Sequence, residues 1–435
     1  MDSLKSLLLS SSSDDSDDEI ETLLLAQHVE HLVQGDTSTR RRRSSLPRRV
    51  IHRDHAAGEN LIKHHYFGPN PVYPSHVFRR RFRMHRPLFL RILRAVQRED
   101  EYFTIRCDAT GLAGLGPLQK VCAALRILAY GLPTDAVDEY IQIGQTTARD
   151  CLIRFCRAII SSFSERYLRI PNHDDIARIL RVNADRGFPG MLGSIDCMHW
   201  EWRNCPTAWR GHFCGRNSRP TMILEAVAGY DLWIWHAFFG MPGTNNDLNV
   251  LHRSPVFDPL RNGTMPPVHF TINGTTYNFG YYLADGIYPN WPTFVKAIRH
   301  AFEEKKVHFT TKQESCRKDI ERAFGVLQAR WAVLRGPAYG WDRNHLAEMM
   351  TACIIMHNMI VEDEGDGAAN VDFIGPSGPP EPCNNTGEGR NEWLNNHIRS
   401  ELPNDPDQDI PCQATYLSLQ HDLIEHLWAR RGAMG

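Results

Sequence analysis

The sequence predicts an α/β domain, built on a mixed five-stranded sheet flanked by helices, preceded by an α-helical domain of helix-turn-helix-like pattern. Three observations lead there. Apolar strand-like stretches at Ser194–Arg203, Thr221–Ala228 and Leu232–Phe239 follow one another, the last two flanking the turn residues Gly229, Tyr230 and Asp231. Beyond them, strand-like and helical periodicities alternate, so the order reads β-β-β-α-β-α-β-α. Upstream, the chain from Phe78 to Ile160 carries only helical spacing with proline and glycine punctuation.

The chain of 435 residues has room for two or three domains, and 42% hydrophobic, 10% aromatic and 23% charged residues describe a folded protein. Its net charge of −2 is an average over an uneven distribution. Residues 1–70 are expected to be a disordered acidic/basic region: Asp14, Asp15, Asp17, Asp18 and Glu19 sit in a serine tract that cannot pack a core. Arg40, Arg41, Arg42, Arg43, Arg48 and Arg49 then read as a nuclear localisation signal or phosphate-binding arm, with a solvated charge run as the alternative. The 11 scattered cysteines suit a reducing, intracellular compartment better than a secreted disulfide scaffold. The most apolar run, LWIWHAFFG, is interrupted by His236, so no membrane partner is expected.

Residues 71–185 make the helical domain. FRRRFRMHRPLFLRILR offers Phe78, Phe82, Leu88, Phe89 and Ile92 to a core and leaves Arg79, Arg80, Arg81, Arg83 and Arg86 outside, a basic face suited to phosphate contacts or simply to water. Pro117 opens the next helix and Gly131 closes it. A short helix from Thr134 to Tyr140, a turn at IQIG and a helix over QTTARDCLIRFCRAII complete the helix-turn-helix-like pattern, with Arg149, Arg154 and Arg157 as its DNA contacts. A plain helical bundle without a DNA role is the alternative.

Residues 186–364 make the α/β domain. After the three antiparallel strands, GTNNDLNVL has turn residues leading into a helix start at Asn245–Asp247, where an aspartate is commonly a cap. Tyr281–Ala284 is a fourth strand ending at Asp285, Asn290–Glu304 a helix, and Val307–Thr310 a short fifth strand. The helix Gln313–Arg335 shows an apolar stripe of Ile320, Phe324, Leu327, Trp331 and Leu334 with Glu321 beside it, and a further helix spans His345–Val361. Residues 365–392 are a flexible linker, and 393–435 a helical segment whose stripe of Tyr416, Leu419, Leu423 and Leu427 is suited to docking.

The chemistry is expected where three carboxylates meet. Asp196 lies on an apolar strand, where an ionised acid is costly unless compensated. If the first and fourth strands are neighbours, Asp285 projects beside it, and a helix crossing that sheet end brings Glu321 to the same point. Clustered carboxylates repel one another unless a cation binds, and hard oxygen ligands select Mg²⁺ or Mn²⁺. Two such ions serve phosphodiester chemistry. Arg317, Lys318 and Arg322 around Glu321 are candidate DNA-backbone contacts. His199 is read as sharing the Asp196 face, where it could orient a phosphate or water, or simply be a hydrogen-bonded core histidine. Cys197, His199, Cys205, His212 and Cys214 form a weaker zinc alternative, of non-standard spacing. No aromatic stacking platform for single strands is evident.

GSIDCMHWEW, GTNNDLNVL, YYLADGIYP, RKDIERAFGVLQARW and CIIMHNMIVEDE together resemble the plant PIF/Harbinger transposase-derived nucleases, and NCPTAWRG with LEAVAGYDLWIWHAFFG is similar to their Ping/Pong subgroup. The resemblance runs from about Phe78 to Gly435. It implies a ribonuclease-H-like catalytic domain with a DDE triad at Asp196, Asp285 and Glu321, the last two separated by 321 − 285 = 36 residues as the family pattern has it. It also implies Asp247 as a fourth metal ligand, and a divalent-metal-dependent transposase that hydrolyses phosphodiesters at transposon ends and transfers strands into target DNA. Double-stranded DNA, a Myb/SANT-like accessory protein and a homo-oligomer are the implied partners. The expected location is the nucleus, or the cytoplasm when the accessory protein is absent. The alternative is a domesticated DNA-binding or chromatin-associated protein that keeps the scaffold without cleaving; an RNA-directed nuclease shares the same catalytic logic.

Overall fold

Proline, glycine and left-handed residues punctuate the helical segment. The computed structural model describes residues 51, 53–107, 109–111, 113–215, 218–371 and 406–433, and its main unit begins at Arg53. The acidic serine tract, the Arg40–Arg43 cluster and most of the 365–392 segment lie outside the described residues. Helix α1 (His55–Ile62), capped by the Asp54 carboxylate on the Ala57 N–H at 2.8 Å, runs into a π turn at Lys63–Phe67. The sequence places residues 55–67 in the disordered region, but Ile62 and Tyr66 are fully buried in the helical core, and that burial orders them.

Helix α2 (Ser75–Phe82) ends at Arg83, whose φ of 64° is left-handed, and α3 (Arg86–Glu99) restarts with Pro87 in its first turn. The single basic helix expected here is therefore two, although Phe78, Phe82, Leu88, Phe89 and Ile92 are buried as expected. Helix α4 (Pro117–Tyr130) starts at Pro117 and stops at Gly131, where φ is 65°. The one-turn α5 (Asp138–Ile141) is followed by α6 (Gln145–Tyr167) and by α7 (His173–Asp185), which Asn172 and Asp175 close with a capping box.

The sheet elements follow: β1 (Met191–Glu201), α8 (Thr207–Phe213), β2 (Thr221–Ala228), β3 (Ile234–Pro242), α9 (Asp247–Arg253) and α10 (Asp258–Arg261). Then come the hairpin β4 (Phe270–Ile272) and β5 (Thr275–Tyr277), β6 (Tyr281–Ala284), β7 (Phe294–Lys296), α11 (Glu304–Arg330), α12 (Ala332–Arg335), α13 (Arg343–Glu364) and α14 (Pro406–Ala433). The five-stranded sheet has the order β3-β2-β1-β6-β7; β1–β2 and β2–β3 are antiparallel, β1–β6 and β6–β7 parallel. It is a mixed sheet flanked by helices, as expected.

The fifth strand is not where the sequence places it. Val307–Thr310 lies within α11, and Phe294–Lys296, expected to be helical, forms β7. A three-residue parallel strand has no periodicity of its own; its hydrogen bonds to β6 and the burial of Phe294 and Val295 decide it. Gln313 of α11 ties both strand ends together, donating from Nε2 to the carbonyls of Ala284 (3.2 Å) and Val295 (3.0 Å).

On one sheet face, Met198, Trp200, Met222, Leu224 and Ala226 join the residues of α3, α4, α6, α11 and α13 in a single core. The helical segment and the sheet are thus packed through one interior, with α6 against α4, α3 and α13. The same side continues into Tyr281, Leu283 and Phe309, where α14 inserts Leu419, Leu423 and Leu427. The C-terminal stripe expected to dock on a partner is therefore covered by this chain's own β6, α11 and hairpin. Ile195, Val227, Phe257, Ala284 and Phe294 pack on the opposite face. Among the described residues no helix is long and apolar enough to cross a membrane.

Candidate functional site

Strand alternation decides which side chains can meet α11. Ser194 and Asp196 project to the same face. Ser194 anchors that face, donating from Oγ to the Cys316 carbonyl of α11 at 3.2 Å, and Asp196 stands one pleat further on, opposite the next turn of the helix. Its side chain is 21% exposed and accepts from the Cys197 N–H at 2.9 Å. One turn apart on α11, Arg317 and Glu321 face it: the Arg317 guanidinium is 3.6 Å from Asp196 Oδ2 and 2.9 Å from Glu321 Oε1.

Asp285 arrives through the parallel pairing. Ser194 is in register with Leu283, so two residues further along each strand lie Asp196 and Asp285, just beyond the end of β6. Asp285 is exposed, and its Oδ1 accepts from the Gly286 N–H at 2.5 Å. Asp247 comes from the other side, in the first turn of α9. The cap there is Asn246, whose side chain accepts from the Asn249 N–H at 2.9 Å, which leaves Asp247 free of that duty. The neighbouring Cys197 thiol holds its carboxyl down.

The four acids feel one another. Burial pushes the Asp196 carboxyl up to about 7, against the Cys197 N–H and the Arg317 charge that hold it down, and the charges of Asp247 and Glu321 add to the rise. Burial likewise pushes Asp247 up to about 6, with Asp285 and Glu225 adding to it. Each carboxylate is thus within electrostatic reach of another, with Arg317 as the cation between Asp196 and Glu321.

Among the described residues, however, no three His, Cys, Asp or Glu side chains stand close enough to hold a metal ion. The geometry supplies a reason: the Arg317 guanidinium occupies the space between Asp196 and Glu321 and serves as their counter-ion. An all-carboxylate oxygen set, in which burial raises the proton affinity of Asp196 and Asp247, nevertheless suits a hard divalent cation.

His199 is not part of this face. It stands three positions after Asp196, an odd step that turns it to the other side of the strand, where its exposed ring meets Thr221 Oγ1 at 3.0 Å. The zinc set does not assemble among the described residues either. Cys197 faces Tyr288, and Cys205 and Cys214 make only weak contacts with the carbonyls of Pro206 and Ser218. Cys353 and His357 are fully buried, and His357 is held by Arg330 and the Leu232 carbonyl.

Sequence reasoning misses two residues. Glu225, in the middle of β2, is fully buried, and neither of its carboxylate oxygens has a hydrogen-bond partner. It lies opposite Cys197 in the sheet register, 3.5 Å from His236 Nε2. The signal is the same as for Asp196, an acid inside an apolar strand. Arg317 is legible in the sequence only as a DNA contact, whereas its counter-ion role follows from helix spacing to Glu321.

Many of the candidate DNA-contacting residues are engaged within the fold. Arg79 pairs with Glu364 (2.6 Å), Arg81 donates to Tyr66, and Arg83, buried, donates to the carbonyls of Arg330 (3.0 Å) and Ala129 (2.8 Å). Arg154 and Arg157 are exposed but paired with Asp100 (3.0 Å) and Glu348 (2.9 Å), and Arg322 donates to the Tyr230 carbonyl at 2.6 Å. Arg80, Arg149 and Lys318 are exposed.

The pattern of the plant transposon protein family matches residues 165–368, which contain all four acids. A domain of unknown function matches residues 58–97, the region from α1 to α3. Two curated relatives from Arabidopsis thaliana are similar to the chain. The protein antagonist of like heterochromatin protein 1 is 24% identical over 247 residues, covering 56% of this chain and 62% of the relative. A protein named ALP1-like is 24% identical over 252 residues, covering 56% and 61%. The chain therefore matches about three fifths of the length of these relatives. No solved structure matches. The domain match and the relatives support a transposase-derived family of PIF/Harbinger type.

Proposed function

We propose that this chain, of a PIF/Harbinger-type transposase-derived family, is a divalent-metal-dependent DNA transposase and endonuclease that cuts at transposon ends and joins the ends to target DNA. The observation that carries the reading is geometric: the parallel β1–β6 pairing brings Asp196 and Asp285 to neighbouring strand ends, and Arg317 joins Asp196 to Glu321. The sheet order, three antiparallel strands followed by two parallel ones, suits a ribonuclease-H-like domain, and α5 with α6 suits a helix-turn-helix-like one.

In this reading Asp196, Asp285 and Glu321, with Asp247, hold Mg²⁺ or Mn²⁺. Bound there, the metal supplies a lowered water pKa and charge stabilisation at the scissile phosphate. The chain's own residues do the rest. Ser194 and Gln313 hold α11 against the strand ends, so that Glu321 stays opposite Asp196. The Cys197 N–H orients Asp196, and its thiol lies beside Asp247. Arg317, no longer required as counter-ion when a metal neutralises the acids, is within one side-chain reach of a phosphate held at Asp196. Lys318, Arg149 and Arg80 offer exposed charge to the DNA backbone. A nuclear location, a Myb/SANT-like accessory protein and a homo-oligomer complete the proposal.

Metal-dependent nicking of duplex oligonucleotides tests it. Asp196→Ala should abolish cutting in Mg²⁺ while leaving the fold intact, and wild-type cutting by that variant would overturn the assignment. The second reading is a domesticated chromatin-associated protein that does not cleave. The name of one relative, an antagonist of a heterochromatin protein, favours it. So does the pairing of Arg317 with two of the acids. Absence of nicking in both Mg²⁺ and Mn²⁺ by the folded full chain would select it.

A further inference from the structure

Large aromatic side chains in water are unfavourable for a folded chain, and a local group of them marks a surface that meets something. Three of the most exposed rings here are Trp209 (48%), Tyr339 (65%) and Trp341 (68%). They come from the short helix α8 and from the loop between α12 and α13, and one buried residue gathers them. Trp202, fully buried, packs its ring 6.1 Å from Trp209 and donates from Nε1 to the Gly340 carbonyl at 2.8 Å, between Tyr339 and Trp341. Asn204 donates to the Tyr339 carbonyl at 2.7 Å, and Arg203 N–H to the Ala338 carbonyl at 2.9 Å, which fixes the second loop to the first.

The charge around these rings is positive. Arg203, Arg210 and Arg343 are exposed. Of the acids beside them, Glu201 pairs with Arg219 at 3.1 Å, and Asp342, half exposed, keeps its charge while accepting from the Asn344 N–H at 2.7 Å, so cations still outnumber anions. Exposed rings beside guanidinium groups suit stacked bases and their phosphates. The position suits the same partner, since six residues of extended chain separate Asp196 from Trp202, roughly 20 Å at ~3.3 Å per residue. That is the length of about six nucleotides at ~3.4 Å each.

We propose that Trp209, Tyr339 and Trp341, with Arg203, Arg210 and Arg343, form a platform that stacks unpaired nucleobases of a DNA strand leading away from Asp196. The proposal deepens the DNA-processing reading and rests on it for the source of the strand. It also revises the expectation from sequence that no stacking platform exists: the rings lie far apart along the chain, and only the Trp202 contacts bring them together.

The test uses the full chain and anisotropy of labelled oligonucleotides, comparing a single strand with a fully paired duplex. In the doubly substituted Trp209→Ala, Trp341→Ala variant, single-strand binding should weaken by roughly 10-fold for each ring removed, whereas duplex binding stays within about 2-fold. The Trp209→Phe, Trp341→Phe variant keeps flat rings and should retain single-strand binding to within about 3-fold. A thermal melt of each variant excludes unfolding as the cause of a loss. Unchanged single-strand binding in the alanine variant, an equal loss for duplex, or failure of the phenylalanine variant to rescue would each overturn the platform. So would a loss of self-association with nucleic-acid binding intact, which would make the rings a protein interface. Duplex nicking measured on the same samples separates the two readings: nicking retained with single-strand binding unchanged sinks the platform alone, and nicking retained by Asp196→Ala sinks the active-site assignment alone.

Discussion

Replacing Asp196 with asparagine should make the metal-free protein more stable at neutral pH while removing cleavage. The reason lies in the proton balance. The carboxyl is pushed up to about 7 in the folded protein, against about 3.9 in an unfolded chain. A raised acid binds its proton more tightly when folded, so between about pH 4 and pH 7 the unfolded state ionises first and stability falls as pH rises. Above pH 7 both states are ionised and the loss is complete. Three units at about 1.36 kcal/mol each give a ceiling of ~4 kcal/mol, and the partly exposed side chain brings the expectation nearer ~2 kcal/mol. The amide introduced by Asp196→Asn would keep an oxygen for the Cys197 N–H and lose the charge. With an unfolding entropy of about 2.1 cal/mol/K per residue over the unit that starts at Arg53, ~2 kcal/mol corresponds to a rise in Tm of about 2–3 °C. The assay is a thermal melt of wild type and Asp196→Asn from pH 4.5 to pH 8 without divalent metal. The gain should be small at pH 4.5 and full by pH 8. A gain independent of pH, or a lower Tm for the variant at pH 8, would refute the claim that burial of this charge is what the site leaves uncompensated.

Other outcomes follow from the same geometry. Arg317→Gln removes the internal counter-ion of Asp196 and Glu321, so Mn²⁺ should raise the Tm at lower concentration than in wild type, while duplex nicking falls because the guanidinium no longer meets the phosphate; an unchanged Mn²⁺ midpoint would argue that Arg317 does not compete for the site. Glu225→Gln replaces a buried carboxylate without hydrogen-bond partners by a neutral isostere, and should stabilise by about 1–2 kcal/mol in chemical denaturation. If it destabilises instead, the contact with His236 at 3.5 Å is the more important term. Leu423→Ala, at the centre of the α14 stripe and fully buried, should cost about 2–5 kcal/mol and release α14 to limited proteolysis ahead of the rest of the chain; unaltered protease resistance would mean that α14 is held by its ion pairs, such as Lys305 with Glu425 at 2.7 Å.

The acid on a buried strand is legible because it breaks an apolar pattern, and the first and fourth expected strands do pair, which is the condition on which Asp285 would meet Asp196. Helices with punctuation are equally legible, as α4 between Pro117 and Gly131 shows. Where the expectation fails, a non-local contact decides. Three-residue β7 exists by pairing with β6, the 78–94 basic stretch breaks at left-handed Arg83 to bring its guanidinium to buried carbonyls, and arginines expected on DNA are paired with Glu364, Asp100 and Glu348.

By itself, then, the sequence determined the helices between Pro117 and Tyr167, the strands that became β1, β2, β3 and β6, and the out-of-place charge of Asp196, because periodicity, capping and a misplaced charge are local properties. Tertiary structure alone decided which cation those acids meet and that α14 closes onto its own sheet. Those depend on distances between residues remote along the chain. Charge and packing act through space, and a sequence pattern records only neighbours.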